Sequence, residues 1–304
     1  MDDVPAFTVK DALARGVTAG ALRTSRWAAP FHGIRSTMEP IDPGLRCRVY
    51  ATKMRTDAAF TSVSAARLWG LPLPAWVDAI AVHVAAPHGA ARPAGRGVIG
   101  SLYQRGAVEI VDLGGLRVLS PADTWASLAG VLELADLVAA GDALVTPTFG
   151  SSDPAAASVD DLVGVAHRRR FRGVRLARRA SQLVRVGPLS RPESLSRILA
   201  VSGGLPEPSC NLRVSPLVTF DLAWAPWRLG FDYHGSSHRS ATQHARDVAR
   251  GDLARQLGWG SMQASATDLF DSPYDLLGRL RSRLADRGAP VGRLDVRQVS
   301  TARR

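Results

Sequence analysis

A chain of 304 residues, 46% hydrophobic and 21% charged, has the make-up of a globular protein and length enough for two or three cores. Its formal charge of +11 and pI near 10.9 argue against an enzyme of small acids or neutral metabolites and favour a polyanionic partner, nucleic acid first. Lysine occurs only at Lys10 and Lys53, so part of that charge is arginine drift in an Ala- and Gly-rich, GC-biased sequence.

No apolar run is long enough to span a membrane, and the acidic opening MDDVPAFTVKD does not read as a secretory signal, so no membrane and a cytoplasmic location are expected. Two cysteines, Cys47 and Cys210, are too few for a disulfide framework or a four-ligand zinc site and read as buried free thiols.

Thr8 can cap a helix ending near Gly16, and Thr18 a second running to about Trp27. With FHGIR as a small wing, this spacing predicts a winged helix-turn-helix over residues 1–57, with Arg23 and Arg26 offered to DNA by the second helix. Residues 58–150 read as a mixed α/β region: a helix through SAARLWGL stopped by PLP, strands near 79–85, 108–111 and 116–119, and a helix pair over 121–144. Within it Gly95, Gly97 and Gly100 have the dinucleotide spacing, but no helix is expected to open after them. His83 and His88 read as half-buried or solvated rather than as metal ligands.

The small-residue stretch TPTFGSSDPAAA is the expected boundary, and residues 151–188 an arginine-rich linker or helix. Nine arginines and no acid fall in the run between about Leu162 and Pro192, and Arg168, Arg169, Arg170 and Arg172 are candidates for phosphate contact. Residues 189–288 read as helix, three strands, helix, strand, helix, followed by a basic tail over 289–304. Ser190 and Glu193 have capping-box spacing at the first helix. Strict alternation would put Phe220, Leu222 and Trp224 on one face with Leu229, Phe231 and Tyr233, leaving Asp221, Asp232 and His234 on the other. Asp221 would then lie opposite or diagonal to Asp232, close enough for both carboxylates to reach one cation, with Mg²⁺ the expected ion. On the next helix Asp247 and Arg250 are spaced as an i,i+3 pair.

From SRPESLSR through GLPEPSCNLRV, FDLAW, RLGFDYHGSSH, DVARGDLARQLGW and TDLFDSPYDLLGRL, the chain resembles the Vsr-like (very-short-patch-repair-like) endonuclease domains of the PD-(D/E)XK superfamily. More loosely, SAARLWGLPLP and LADLVAAGDALV resemble actinobacterial proteins that join such a domain to a winged helix similar to the AbiEi antitoxin type. The resemblance implies an α/β fold with a restriction-endonuclease-like C-terminal domain, and it implies that Glu193, Asp221, Asp232 and His238 occupy site positions. The usual E-x-D-G-x-x-H pattern is altered here: Asp232 stands for the first acid and His234 for the second. With no lysine in this region, water activation would fall to His234, His238 or the metal.

Two functions are therefore expected to compete. One is a Mg²⁺-dependent endonuclease acting on double-stranded DNA. The other is a non-catalytic DNA-binding regulator, antitoxin-like, for which a nucleotidyltransferase toxin would be the partner. A dinucleotide enzyme using the glycine-rich segment ranks last.

Overall fold

The computed structural model describes residues 6–78, 80–147, 154–168, 171–235, 241–292 and 299–302, with backbone only for 241–248. It is a mixed α/β protein of two compact units. The first comprises residues 1–131 and 161–177, the second 132–160 and 178–304. The units thus interleave along the chain, whereas the sequence suggested successive segments. Val131 is the last residue of the first stretch, so the expected helix pair over 121–144 is shared between the two units.

The first unit opens with β1 (Ala6–Thr8), α1 (Val9–Ala14) and β2 (Ile34–Ser36). Thr8 caps α1 by accepting from the Asp11 N–H at 3.0 Å, and β1 pairs antiparallel with β2. The expected helix from Thr18 to Trp27 is not there. Thr18 Oγ1 does accept from Ala21 N–H, but only a 3-10 turn, Ala21–Arg23, follows. Tertiary contacts override the capping signal: Trp27 packs edge-on against Phe7, and Ala28 bridges to Ser36, drawing the chain back before a second turn can form.

After α2 (Pro43–Ala51) come β3 (Ala59–Phe60), α3 (Ser62–Leu68), β4 (Val82–Pro87), β5 (Val98–Tyr103), β6 (Ile110–Leu113), β7 (Leu116–Leu119) and α4 (Pro121–Leu128). The five strands form one sheet in the order β5-β4-β3-β7-β6. Its core gathers Phe31, Tyr50, Phe60, Val82, Val84 and Val118, all buried, which is the burial that chiefly stabilises such a layer. Gly95 and Gly97 turn the chain into β5 rather than into a helix, as the dinucleotide pattern would require.

Helix α5 (Leu134–Val145) belongs to the second unit; α6 (Val159–Arg168) and α7 (Val174–Ser181) follow. The second unit continues with α8 (Arg191–Ser202), β8 (Ser209–Ser215), β9 (Val218–Trp224), β10 (Leu229–His234), α9 (Ala241–Gln256), β11 (Gly260–Ser265) and α10 (Pro273–Ala285), the order of elements expected from the sequence. Its sheet runs β11-β10-β9-β8, with β10 parallel to β11 and the other neighbours antiparallel. The parallel pair needs a crossover, which α9 supplies. The β9–β10 connection is a 3-10 turn closed by Arg228 in a left-handed conformation.

Beneath α8, Arg197 and Asp142 form an ion pair with both side chains fully buried, and Asp136 pairs with Arg191, so two buried charge pairs tie α5 to α8. Cys47 is buried and Cys210 half-buried, both free thiols pushed up to about 11 mainly by burial.

Candidate functional site

Strand β9 does not alternate as the sequence suggested. Phe220 shares a buried cluster with Ala223 and Ala254, three residues apart on one strand, which a period of two cannot produce. A Cβ on Gly230 would meet the Phe220 ring at 2.3 Å, so Phe220 lies over the face that Gly230 leaves open. The irregularity continues into β8. Asn211, between the register pairs Cys210↔Leu222 and Leu212↔Phe220, sits across from Asp221 with φ 49°, a conformation that asparagine tolerates better than most residues.

The same level of the sheet carries the acids. Backbone pairing of β9 with β10 is last registered at Phe231↔Leu222, and beyond it carboxylates take over. The Asp221 N–H donates to Asp232 Oδ1 at 3.3 Å, and the Tyr233 N–H to Asp221 Oδ2 at 2.7 Å. Arg250, on α9, reaches back to donate from Nη2 to Asp232 Oδ1 at 2.6 Å and also to the Thr219 carbonyl. Arg250 thus gives its cation to the strand acid, while the side chain of Asp247, its expected i,i+3 partner, lies outside the described residues.

Glu193 closes the group from α8. Its Oε1 accepts from Ser190 Oγ at 2.7 Å, and its Oε2 from the Leu189 N–H at 2.9 Å and Asn211 Nδ2 at 3.0 Å. Asn211 Nδ2 also donates to the Gly187 carbonyl, so one amide joins the cap of α8 to β8. The capping-box spacing is therefore used, with Glu193 turned to the Leu189 amide and the strand.

Burial sets the electrostatics. Asp221 is pushed up to about 6, first by desolvation, with the Tyr233 N–H opposing and the nearby charges of Glu193 and Asp232 adding to the rise. Asp232 is likewise raised by burial, against the pull of Arg250. Beside Asp232, a hollow of about 20 Å³ is bounded by Phe220, His234, Arg250 and Gln263, room for roughly one water.

Of the expected site residues, Glu193, Asp221 and Asp232 are brought together, and His234 borders the hollow. His238 lies outside the described residues, as do Arg169 and Arg170. Among the described residues no three His, Cys, Asp or Glu side chains are placed to share one metal ion. Asp221 and Asp232 form a two-carboxylate set, which is the number Mg²⁺ uses when waters and phosphates complete its shell.

The basic residues are dispersed. Arg23 is exposed on the 3-10 turn and Arg26 stacks over the Trp27 ring. Arg168 folds back onto the Gly164 carbonyl at the end of α6, while exposed Arg172 follows in the turn before α7, so the arginine run is divided rather than carried on one helix. Sequence reasoning missed Arg250 and Asn211. An Asn inside an otherwise strand-forming run was the available signal for the second, since Asn is depleted in strands and admits positive φ.

No family model matches the chain, and no curated protein matches it. A solved structure similar to it is that of the RV2827C protein from Mycobacterium tuberculosis. The likeness is slight: 19% identity and a TM-score of 0.37, over 58% of this chain and 72% of that one. Among the described residues no helix is long and apolar enough to cross a membrane.

Proposed function

We propose that this chain acts on duplex DNA and that its second unit is a Vsr-like endonuclease domain dependent on a divalent cation. The observation that carries the proposal is the convergence of Glu193, Asp221 and Asp232 where β9 and β10 stop pairing and β8 turns left-handed. A buried group of three acids with one arginine is short of positive charge, and a divalent cation is the ordinary remedy. The element order and the β11-β10-β9-β8 sheet agree with the resemblance to restriction-endonuclease-like domains. The N-terminal strand, helix, 3-10 turn and strand lack the second helix of the expected winged helix-turn-helix, so the reading rests on the second unit.

Asp221 and Asp232 would hold the ion. Bound there, Mg²⁺ would polarise a phosphate and lower the pKa of a water. The chain's own residues do the rest: the Tyr233 N–H orients Asp221, Asn211 and Ser190 fix Glu193, and Arg250 must move off Asp232, since the adjacent hollow is too small for a hydrated ion. His234 and His238 are the candidates to relay a proton.

The test is cleavage of supercoiled and linear duplex DNA with and without Mg²⁺ or Mn²⁺. Metal-dependent nicking that Asp221→Asn abolishes, with an unchanged fold by circular dichroism, is the expected result.

One observation favours a second reading. The Arg250–Asp232 pair already gives the acidic group a cation of its own, as suits a non-catalytic DNA-binding regulator, antitoxin-like, with a nucleotidyltransferase toxin as partner. DNA binding without cleavage or metal-dependent stabilisation would select it.

A further inference from the structure

The first unit holds a larger cavity, of about 490 Å³, on the side of its sheet where β5 is the edge strand. That size lies within the roughly 300–1,000 Å³ typical of small-molecule sites. Its walls are mainly apolar and include the rings of Tyr103 and Phe171 together with Ile99 and Leu102, large hydrophobic side chains left 49% and 38% exposed. Its polar lining includes two guanidiniums, those of Arg92 and Arg172.

Neither arginine pairs with a described carboxylate. Arg92 is anchored through Nε to the Gly100 carbonyl at 2.7 Å, which leaves its terminal nitrogens for another acceptor. Arg172 lies along Gly130, where an added Cβ would stand 3.4 Å from its side chain. The turn that presents Arg172 is fixed by Gly173, whose φ of 85° favours glycine and whose Cβ would strike the Ala129 carbonyl at 2.1 Å. The one acid in the lining, Asp123, already accepts from the Glu109 N–H at 2.6 Å. On the lining too, Ser62 is held at φ 48°, a left-handed conformation that a serine rarely adopts and that collects at ligand sites.

Two aromatic rings, exposed aliphatic walls and two cations without anions describe a ligand with a planar apolar body and an anionic group. We infer that this cavity binds a nucleoside 5′-phosphate, its phosphate on Arg92 and Arg172 and its base against Tyr103 and Phe171. Arginine's planar fork matches phosphate, and stacking on aromatic rings accepts any base. The half-buried His83, kept neutral by burial, offers hydrogen bonding without a further charge. The same chemistry is met by a free nucleotide or by one nucleotide of a single strand. Nothing in this inference depends on the acidic site of the second unit.

The experiment is calorimetric titration of the full chain with each of the four deoxynucleoside 5′-monophosphates, and separately with a short single-stranded DNA. Inorganic phosphate and the matching nucleosides are run alongside. At least one monophosphate, or the strand, should bind, with phosphate or nucleoside alone at least about tenfold weaker. Binding of the strand alone would identify nucleic acid as the source; binding of monophosphates would identify free nucleotide. Arg92→Gln and Arg172→Gln, both at exposed positions, should each weaken binding about tenfold without changing the melting temperature of the unliganded protein. Leu102→Trp, which narrows the cavity while leaving both charges, should also weaken it. Absence of binding by every probe, or affinity unaltered in all three variants, would overturn the inference.

Discussion

Arg250 brings its guanidinium to 2.6 Å from Asp232 Oδ1, and the two side chains are only 31% and 8% exposed. A helix cation thereby neutralises a strand acid at the point where two strands part. Arg250→Gln should lower stability to urea by about 1–3 kcal/mol, the cost of leaving a buried polar group under-satisfied. The same substitution should tighten Mn²⁺ binding in a titration, because it removes the cation that competes for Asp232. Unchanged or weaker Mn²⁺ binding would show that Arg250 does not guard the site.

The raised Asp221 gives a pH signature. Its folded pKa of about 6 exceeds the unfolded value of 3.8, so its contribution to stability is fully present below about pH 3.8 and is lost as pH rises through 6. Asp221→Asn should remove that loss. Allowing for solvent screening, it should be about 1–2 kcal/mol more stable than the parent at pH 8 and no more stable at pH 4. Denaturant melts at the two pH values check this.

The Arg197–Asp142 pair provides a stability test away from the acids. Both side chains are fully buried, and Arg197 also donates to the Leu183 carbonyl at 2.7 Å. Asp142→Ala should cost about 2–4 kcal/mol, because it leaves the buried Arg197 cation with only the part-exposed Glu207 carboxylate, 3.2 Å from Nη1, as an anionic partner. Replacing both members together, Asp142→Leu with Arg197→Met, should recover most of that loss in the same urea melts.

Duplex binding should depend steeply on salt. Joint replacement of Arg168, Arg169 and Arg170 by Ala should lower the slope of log affinity against log salt by up to about 2.7, three phosphate contacts at about 0.9 each. Arg23 and Arg26 stand on and beside a single 3-10 turn, too short to run along a groove. Their replacement should therefore weaken binding to specific and random duplexes alike. A selective loss at one sequence would show base reading after all.

Most of the second unit could be read in advance because its signals are local. Ser190 and Glu193 mark the start of α8, Gly203 and Gly204 its end, and the Ala-Pro pair at 225–226 the hairpin turn. That Asp221 and Asp232 would be neighbours also followed from the turn length. What stayed hidden depends on contacts distant in sequence. The shift of Phe220 to the face of Ala223 goes with an irregular β8, and period-two counting has no term for it. Arg250 is 18 residues from Asp232, a partnership that no helix spacing announces. At the N-terminus the reverse held: Thr18 Oγ1 does accept from the Ala21 N–H, yet with Trp27 packed on Phe7 only a 3-10 turn follows.

Glu193 serves two masters. Through Ser190 and Leu189 it secures the head of a helix, and through Asn211 it holds a strand in an unusual conformation. An alanine at this position would therefore disturb architecture and electrostatics together, and its phenotype could not be assigned to either. The same double duty ties the acid to the scaffold, as the Tyr233 N–H ties Asp221 and Arg250 ties Asp232, so the architecture alone gives each of the three acids a reason to persist. Retention of a glutamate at this position in divergent sequences would for that reason say nothing about whether they cut DNA.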